Sequence, residues 1–210
     1  MIRRLKFQIL KISCLLLCFV SMASSLSVYA GHDEIKKTGE VKSQFQYSDW
    51  VFFDVDDTLL RYDNQHHPYL LDKSIPNIIY ESRLKEVKFL ALTARGRDGG
   101  RTQKELIRLG VHLDPFCRSE VRFMSRNHED ATSSSKVACS QGVLFTGHQI
   151  TKGDLLVQFL NYTKSQGIKL PMRVIFVDDL IENIHSVESV SPVLQSMGVR
   201  SLLLFHVKAE

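Results

Sequence analysis

The sequence predicts an α/β domain built on a mostly parallel central sheet with helices on its faces. Three observations predict it. Short β-prone apolar runs recur along the chain, stretches with helical spacing lie between them, and two of the runs end in carboxylate pairs. Strands alternating with helices indicate βαβ units. In such folds the carboxyl ends of the strands are where ligands bind. At 210 residues the chain fits one domain of ordinary size with a sizeable core.

The elements follow in order. Asp49 to Asp54 reads as a buried strand, and Arg61 to Pro68 as a polar turn. Residues 77–86 carry Ile78, Ile79 and Leu84 at helical intervals. Residues 87–92 form a second strand that runs into Thr93-Ala94-Arg95. Residues 102–109 form a short amphipathic helix closed by Gly110, a good C-cap. Val121 to Met124 reads as a third strand, residues 127–135 as a serine-rich surface loop, and residues 142–145 as a short strand. Lys152-Gly153-Asp154 opens a helix with Leu155, Leu156, Phe159 and Leu160 on one face. Arg173 to Val177 is a core strand ending in Asp178-Asp179. A helix starts near Leu180, and residues 201–207 form the last strand.

The first 30 residues stand apart. Arg3, Arg4, Lys6 and Lys11 precede an apolar run, and small residues surround Ala30. This describes a secretory leader cleaved after Ala30, which leaves no stable membrane anchor. Residues 31–48 then form a polar N-terminal arm, and 49–210 the folded domain, with a small insertion near 115–140. The leader holds four of the 27 Lys and Arg and none of the 23 Asp and Glu, so the remainder is formally neutral. The basic balance of the whole chain therefore gives no reason to expect a nucleic-acid partner. Outside the leader there are two cysteines, Cys117 and Cys139. They either form a disulfide or remain free thiols, and spacing does not decide between the two.

The richest segment is Val51-Phe52-Phe53-Asp54-Val55-Asp56-Asp57-Thr58. An apolar run ends in three carboxylates, which is costly to bury unless a cation or ligand meets them. If the strand ending in Asp178-Asp179 is a neighbour, the carboxylates converge, and an oxygen-ligated Mg²⁺ relieves their repulsion.

Asp54-Val55-Asp56-Asp57-Thr58 resembles the first motif of the haloacid dehalogenase (HAD) superfamily. Leu92-Thr93-Ala94-Arg95 resembles its second, Lys152 at a helix start its third, and Val177-Asp178-Asp179 its fourth. The resemblance implies a Rossmann-like three-layer sandwich and a phosphatase, close to an exported bacterial branch that is periplasmic or secreted. Asp54 would attack phosphorus to give an aspartyl-phosphate. Asp56 would be the general acid and base. Thr93, Ala94, Arg95 and Lys152 would bind the phosphorylated substrate, with Thr93 and Lys152 also serving catalysis. Mg²⁺ would be held by Asp54, the Asp56 main-chain carbonyl, and Asp178 or Asp179. Glu182 and Asn183 would hold metal-bound water.

Asp57 reads as scaffold by strand alternation, and Thr58 as support for the turn. His66 and His67 read as loop residues. Only about 34 residues separate the first two motifs, so the cap is small or absent, with a flap near 59–70. Transfer to an acceptor other than water, or an exported interaction protein on the same scaffold, are the alternative functions.

Overall fold

A computed structural model describes residues 32–98, 100–117, 119–124 and 137–208. The expected leader, residues 1–30, and the expected serine-rich loop, residues 127–135, lie outside the described residues. Among the described residues, no helix is long and apolar enough to cross a membrane.

Among the described residues the strands are β1 (Asp33–Ile35), β2 (Trp50–Phe53), β3 (Leu60–Tyr62), β4 (Pro68–Leu70), β5 (Lys88–Thr93), β6 (Val121–Arg122), β7 (Ala138–Ser140), β8 (Val143–Phe145), β9 (Arg173–Asp178) and β10 (Ser201–Val207). The helices are α1 (Ile75–Ser82), α2 (Arg101–Arg108), α3 (Lys152–Ser165), α4 (Ile181–Ser189) and α5 (Ser191–Met197). Eight strands form one sheet in the order β1-β10-β9-β2-β5-β8-β7-β6. It is parallel from β1 to β8, and β7 and β6 add antiparallel pairs at one edge. β3 and β4 form a separate antiparallel hairpin where the flap was expected.

Helices cover both faces of the sheet, and alternation along the central strands shows why. Val51 and Phe53 of β2, Phe89 and Ala91 of β5, and Ile175 and Val177 of β9 point into one core with α1 and α2 residues Ile75, Ile79 and Leu106. Trp50 and Phe52, Leu90 and Leu92, and Val174 and Phe176 point into a second core with Leu156, Phe159 and Leu160 of α3 and Ile184 of α4. Strands buried on both faces read as continuous apolar runs, and these do.

The structure changes several predicted elements. Residues 32–48 are not a free arm. β1 pairs in parallel with β10, and a 3-10 helix, Thr38–Gln44, follows it. Ile35, Val41 and Phe45 enter the first core. The helix expected over 77–86 begins at Ile75, with Pro76 in its first turn, and gives way to a 3-10 turn, Arg83–Lys85. The strand expected over 121–124 is limited to two residues and pairs with β7, which the sequence did not signal. The helix expected from Leu180 is two helices, and Pro192 opens the second. Cys117 and Cys139 are joined in a disulfide, with their Cα atoms 5.8 Å apart.

Candidate active site and metal centre

β2 and β9 are hydrogen-bonded neighbours, with Phe53 opposite Val177. Their carboxyl ends therefore lie side by side, and the Asp54 N–H donates to the Val177 carbonyl at 2.9 Å. This register brings together residues more than 120 positions apart. Asp54, Asp178 and Asp179 each present a carboxylate oxygen within 4.8 Å of the other two, an arrangement that could hold a metal ion. Just beyond Asp54 the chain turns tightly. The Leu59 and Leu60 N–H groups both donate to the Val55 carbonyl, and Asp57 takes a left-handed φ of 55°. The strand has ended by then, so this turn, rather than strand alternation, sends Asp57 outward to Arg61 at 2.6 Å. Thr58 is buried, and its hydroxyl donates to Asp179 Oδ1 at 3.2 Å.

Lys152 enters the same cluster from the first turn of α3. Thr151 caps that helix, accepting from the Asp154 N–H at 3.1 Å. Gly153 allows the close approach that follows, because a Cβ there would overlap the Ser186 carbonyl oxygen of α4. Lys152 Nζ donates to Asp54 Oδ1 and, at 2.6 Å, to Asp178 Oδ2. Its side chain is only 2 % exposed, and that of Asp178 not at all. The other Asp178 oxygen accepts from Asn183 Nδ2 at 2.9 Å and from the Leu180 N–H at 3.0 Å. Glu182 makes no comparable contact with Asp178.

Lys152 thus bridges Asp54 and Asp178, and Asp179 is the third carboxylate of the cluster. Burial pushes the Asp54 carboxyl up to about 7, against the pull of Lys152 and with help from the Asp178 charge. Burial, and then the Asp178 charge, hold Asp179 above its ordinary value too. Burial works against the Lys152 charge, but Asp54 and then Asp178 outweigh it and raise its pKa.

Asp56 lies in a different setting. Its two oxygens accept from Arg95 Nε at 2.8 Å and Nη2 at 2.6 Å, a bidentate pair. Its carboxylate is not part of the acidic triad. Arg95, expected to meet substrate, spends its other donors on Thr102 Oγ1 at 2.9 Å, Glu105 Oε2 at 3.0 Å and the Tyr62 hydroxyl at 2.9 Å. Burial opposes the Arg95 charge, but the hydrogen bonds and charge of Asp56, and then the hydrogen bond to Glu105, hold it above its ordinary value. Arg101 also pairs with Glu105, at 2.8 Å. Thr93 is fully buried at the end of β5, where its hydroxyl accepts from the Arg95 N–H at 3.2 Å, and Ala94 follows it. Arg97 pairs with Glu120 at 2.5 Å.

His66 does not join the acidic cluster but lines a cleft of about 550 Å³ with Asp56, Tyr62, Arg95, Gly96, Asp98 and Arg101. His67 is exposed and lies near Asp63. Tyr62 and Glu105 were not singled out in the sequence. A signal did exist for Glu105, which sits three residues from Thr102 and beside Leu106, so it shares the buried face of α2.

Residues 62–206 match the model of a family described as Protein of unknown function (DUF2608). The chain belongs to this family. The family match takes in Thr93, Lys152, Asp178 and Asp179 and starts after Asp54 and Asp56. No curated protein and no solved structure matches the chain.

Proposed function

We propose that the protein is a Mg²⁺-dependent phosphomonoester hydrolase of the HAD type, acting through an aspartyl-phosphate on Asp54. The observation that carries this reading is the parallel pairing of β2 with β9, which sets Asp54 beside Asp178 and Asp179 with Lys152 between Asp54 and Asp178. The donor set suits Mg²⁺, being all carboxylate and more negative than Lys152 alone offsets. Asp54, Asp178 or Asp179, and the Asp56 main-chain carbonyl would hold the ion. Once bound, it would supply positive charge that lets an anionic nucleophile approach an anionic phosphoryl group.

The chain's own residues account for the rest. Asp54 forms the new oxygen–phosphorus bond as the bond to the leaving oxygen breaks. Asp56 gives a proton to that leaving oxygen, which requires one of its oxygens to turn from Arg95 toward the cleft. Water then attacks phosphorus, Asp56 takes its proton, and the Asp54–phosphorus bond breaks to release inorganic phosphate. Lys152 holds Asp54 in place and offers its charge to the phosphoryl oxygens, and Thr93 and the Ala94 amide offer hydrogen bonds. The cleft that opens beside Asp56 is the route for the organic part of the substrate. The protein acts outside the cytoplasm in this reading. The leader-like residues 1–30 and the Cys117–Cys139 disulfide support that, since disulfides persist in oxidising compartments.

Hydrolysis of an aryl phosphate with and without Mg²⁺ tests the reading. We expect turnover that needs Mg²⁺ and falls to background, on the order of 10⁴-fold or more, in Asp54→Asn. Acid-stable protein should carry phosphate after quenching in the wild type alone. Activity that survives Asp54→Asn would sink the mechanism. No turnover over a broad panel of phosphate esters would favour the interaction protein.

A further inference from the structure

A second group of metal-binding side chains lies beside the acidic cluster, at the far side of β10. His32 precedes β1, and Glu34 of β1 stands in register opposite His206 of β10. One ring nitrogen each from His32 and His206 and one Glu34 oxygen lie within 4.8 Å of one another. A third imidazole is close by. The His185 ring of α4 is 6.2 Å from the His32 ring, centre to centre, and the His206 ring is 5.8 Å from it.

The chemistry of this group differs from that of the aspartates. Two imidazoles and one carboxylate suit a borderline transition-metal ion, whereas Mg²⁺ prefers oxygen alone. The His206 ring is also oriented by its surroundings. Its Nε2 lies 3.0 Å from the Asp179 carbonyl oxygen, which can only accept. In the neutral ring Nε2 then carries the proton, which leaves the Nδ1 lone pair for a ligand. A ligating histidine usually gives its other N–H to a carbonyl or carboxylate in this way. Ligands around a tetrahedral ion lie roughly 3.3 Å apart for bonds near 2.0–2.1 Å, so the group needs a modest contraction. Glu34 can supply it. Its side chain is 54 % exposed, and among the described residues only one of its oxygens is held, by Lys208 at 2.7 Å.

We propose that His32, Glu34 and His206 form a second metal site, for a divalent ion of the Zn²⁺ class, at the sheet edge next to the acidic centre. His185 stands ready as a fourth ligand, in place of water. The His206 hydrogen bond to Asp179 ties this site to the main chain of the acidic centre. The proposal does not depend on phosphatase activity, because binding alone tests it.

The test is titration of the untagged full-length chain with Zn²⁺ and with Co²⁺ in excess Mg²⁺, followed by calorimetry and by visible absorption. One Zn²⁺ per chain is expected, with the intense absorption of a tetrahedral Co²⁺ site that Zn²⁺ displaces. His32→Ala and His206→Asn should each weaken binding roughly tenfold or more. His32 lies ahead of the first strand, so its variant keeps the test sound even if a change in β10 impairs folding. Asp54→Asn and His67→Ala should bind as the wild type does. The proposal is overturned if the wild type binds no Zn²⁺, if His32→Ala binds it unchanged, or if Asp54→Asn abolishes binding.

Discussion

Asp54 and Asp56 are two residues apart, yet their charges are met in different ways. Around Asp54, Lys152 bridges the buried Asp54 and Asp178, and the half-buried Asp179 adds a third carboxylate, with no second ammonium paired to the three among the described residues. Around Asp56, the carboxylates of Asp56 and Glu105 meet the guanidinium groups of Arg95 and Arg101, Tyr62 and Thr102 fill further bonds, and Asp98 is met by the Thr102 hydroxyl and the N–H groups of Gly100, Arg101 and Thr102. The first cluster carries surplus negative charge at the end of core strands. In the second each carboxylate has its own donors, a balanced network half-open to a cleft. Surplus charge in a buried place asks for a cation, whereas a balanced network positions the groups it contains. One segment of five residues supplies an acid to each because β2 ends at Phe53 and the chain turns after Val55, between the two acids.

The comparison breaks most readily at Lys152. Lys152→Ala removes the one ammonium between Asp54 and Asp178, leaving buried carboxylates without their partner. The expected cost is about 3–5 kcal/mol, measured by urea unfolding in metal-free buffer. Saturating Mg²⁺ should restore part of this loss if the acidic triad takes up the ion. Hydrolysis, if the proposed function holds, should fall roughly 10²–10³-fold. A variant as stable as the wild type would mean that the three carboxylates do not strain the fold.

How far the sequence revealed this contrast depends on the kind of contact. The central strands were legible because both of their faces are apolar, and their carboxyl ends marked Asp54, Asp178 and Asp179. Lys152 was legible because Lys152-Gly153-Asp154 opens the helical spacing of Leu155, Leu156, Phe159 and Leu160. β1 was not, because only Ile35 of its three residues is buried, so it shows no alternation. The pairing of Asp56 with Arg95 was not legible either. It joins two loop-end residues 39 positions apart, and an arginine next to a phosphate-binding motif reads equally well as a substrate ligand. Which charge is surplus and which is balanced follows from strand register and turn geometry, and neither leaves a periodic trace in sequence.

Arg95 tests the balanced half. Arg95→Lys keeps one positive charge but loses the fork that grips both Asp56 oxygens. It also removes donors from Glu105, Tyr62 and Thr102. A destabilisation of about 1–2 kcal/mol is expected, because Arg101 still meets Glu105. In the proposed enzyme, hydrolysis should fall roughly tenfold through misplacement of Asp56, with Mg²⁺ affinity unchanged. A loss of Mg²⁺ affinity equal to that in an Asp178→Asn variant would show that the two clusters act as one.

The pH dependence of stability is the most direct reading of the surplus charge. With its carboxyl pushed up to about 7 from an ordinary 3.8, folded Asp54 keeps its proton where the unfolded chain has lost it. Between those values the folded state binds more protons, so stability falls as pH rises. Below the lower value both states are protonated, and above the upper one both are ionised, so the slope vanishes at each end. Asp54→Asn has no such proton. The unfolding free energy of the wild type minus that of the variant should therefore decline from roughly pH 4 to pH 7, by at most about 1.4 kcal/mol per unit at the steepest, and then level off. Chemical unfolding of both proteins in a chelating buffer measures it. Mg²⁺ favours the ionised carboxylate, so adding it should flatten the decline. A difference that stays constant across the window in the absence of metal would mean that Lys152 already balances the cluster, and the contrast with Asp56 would disappear.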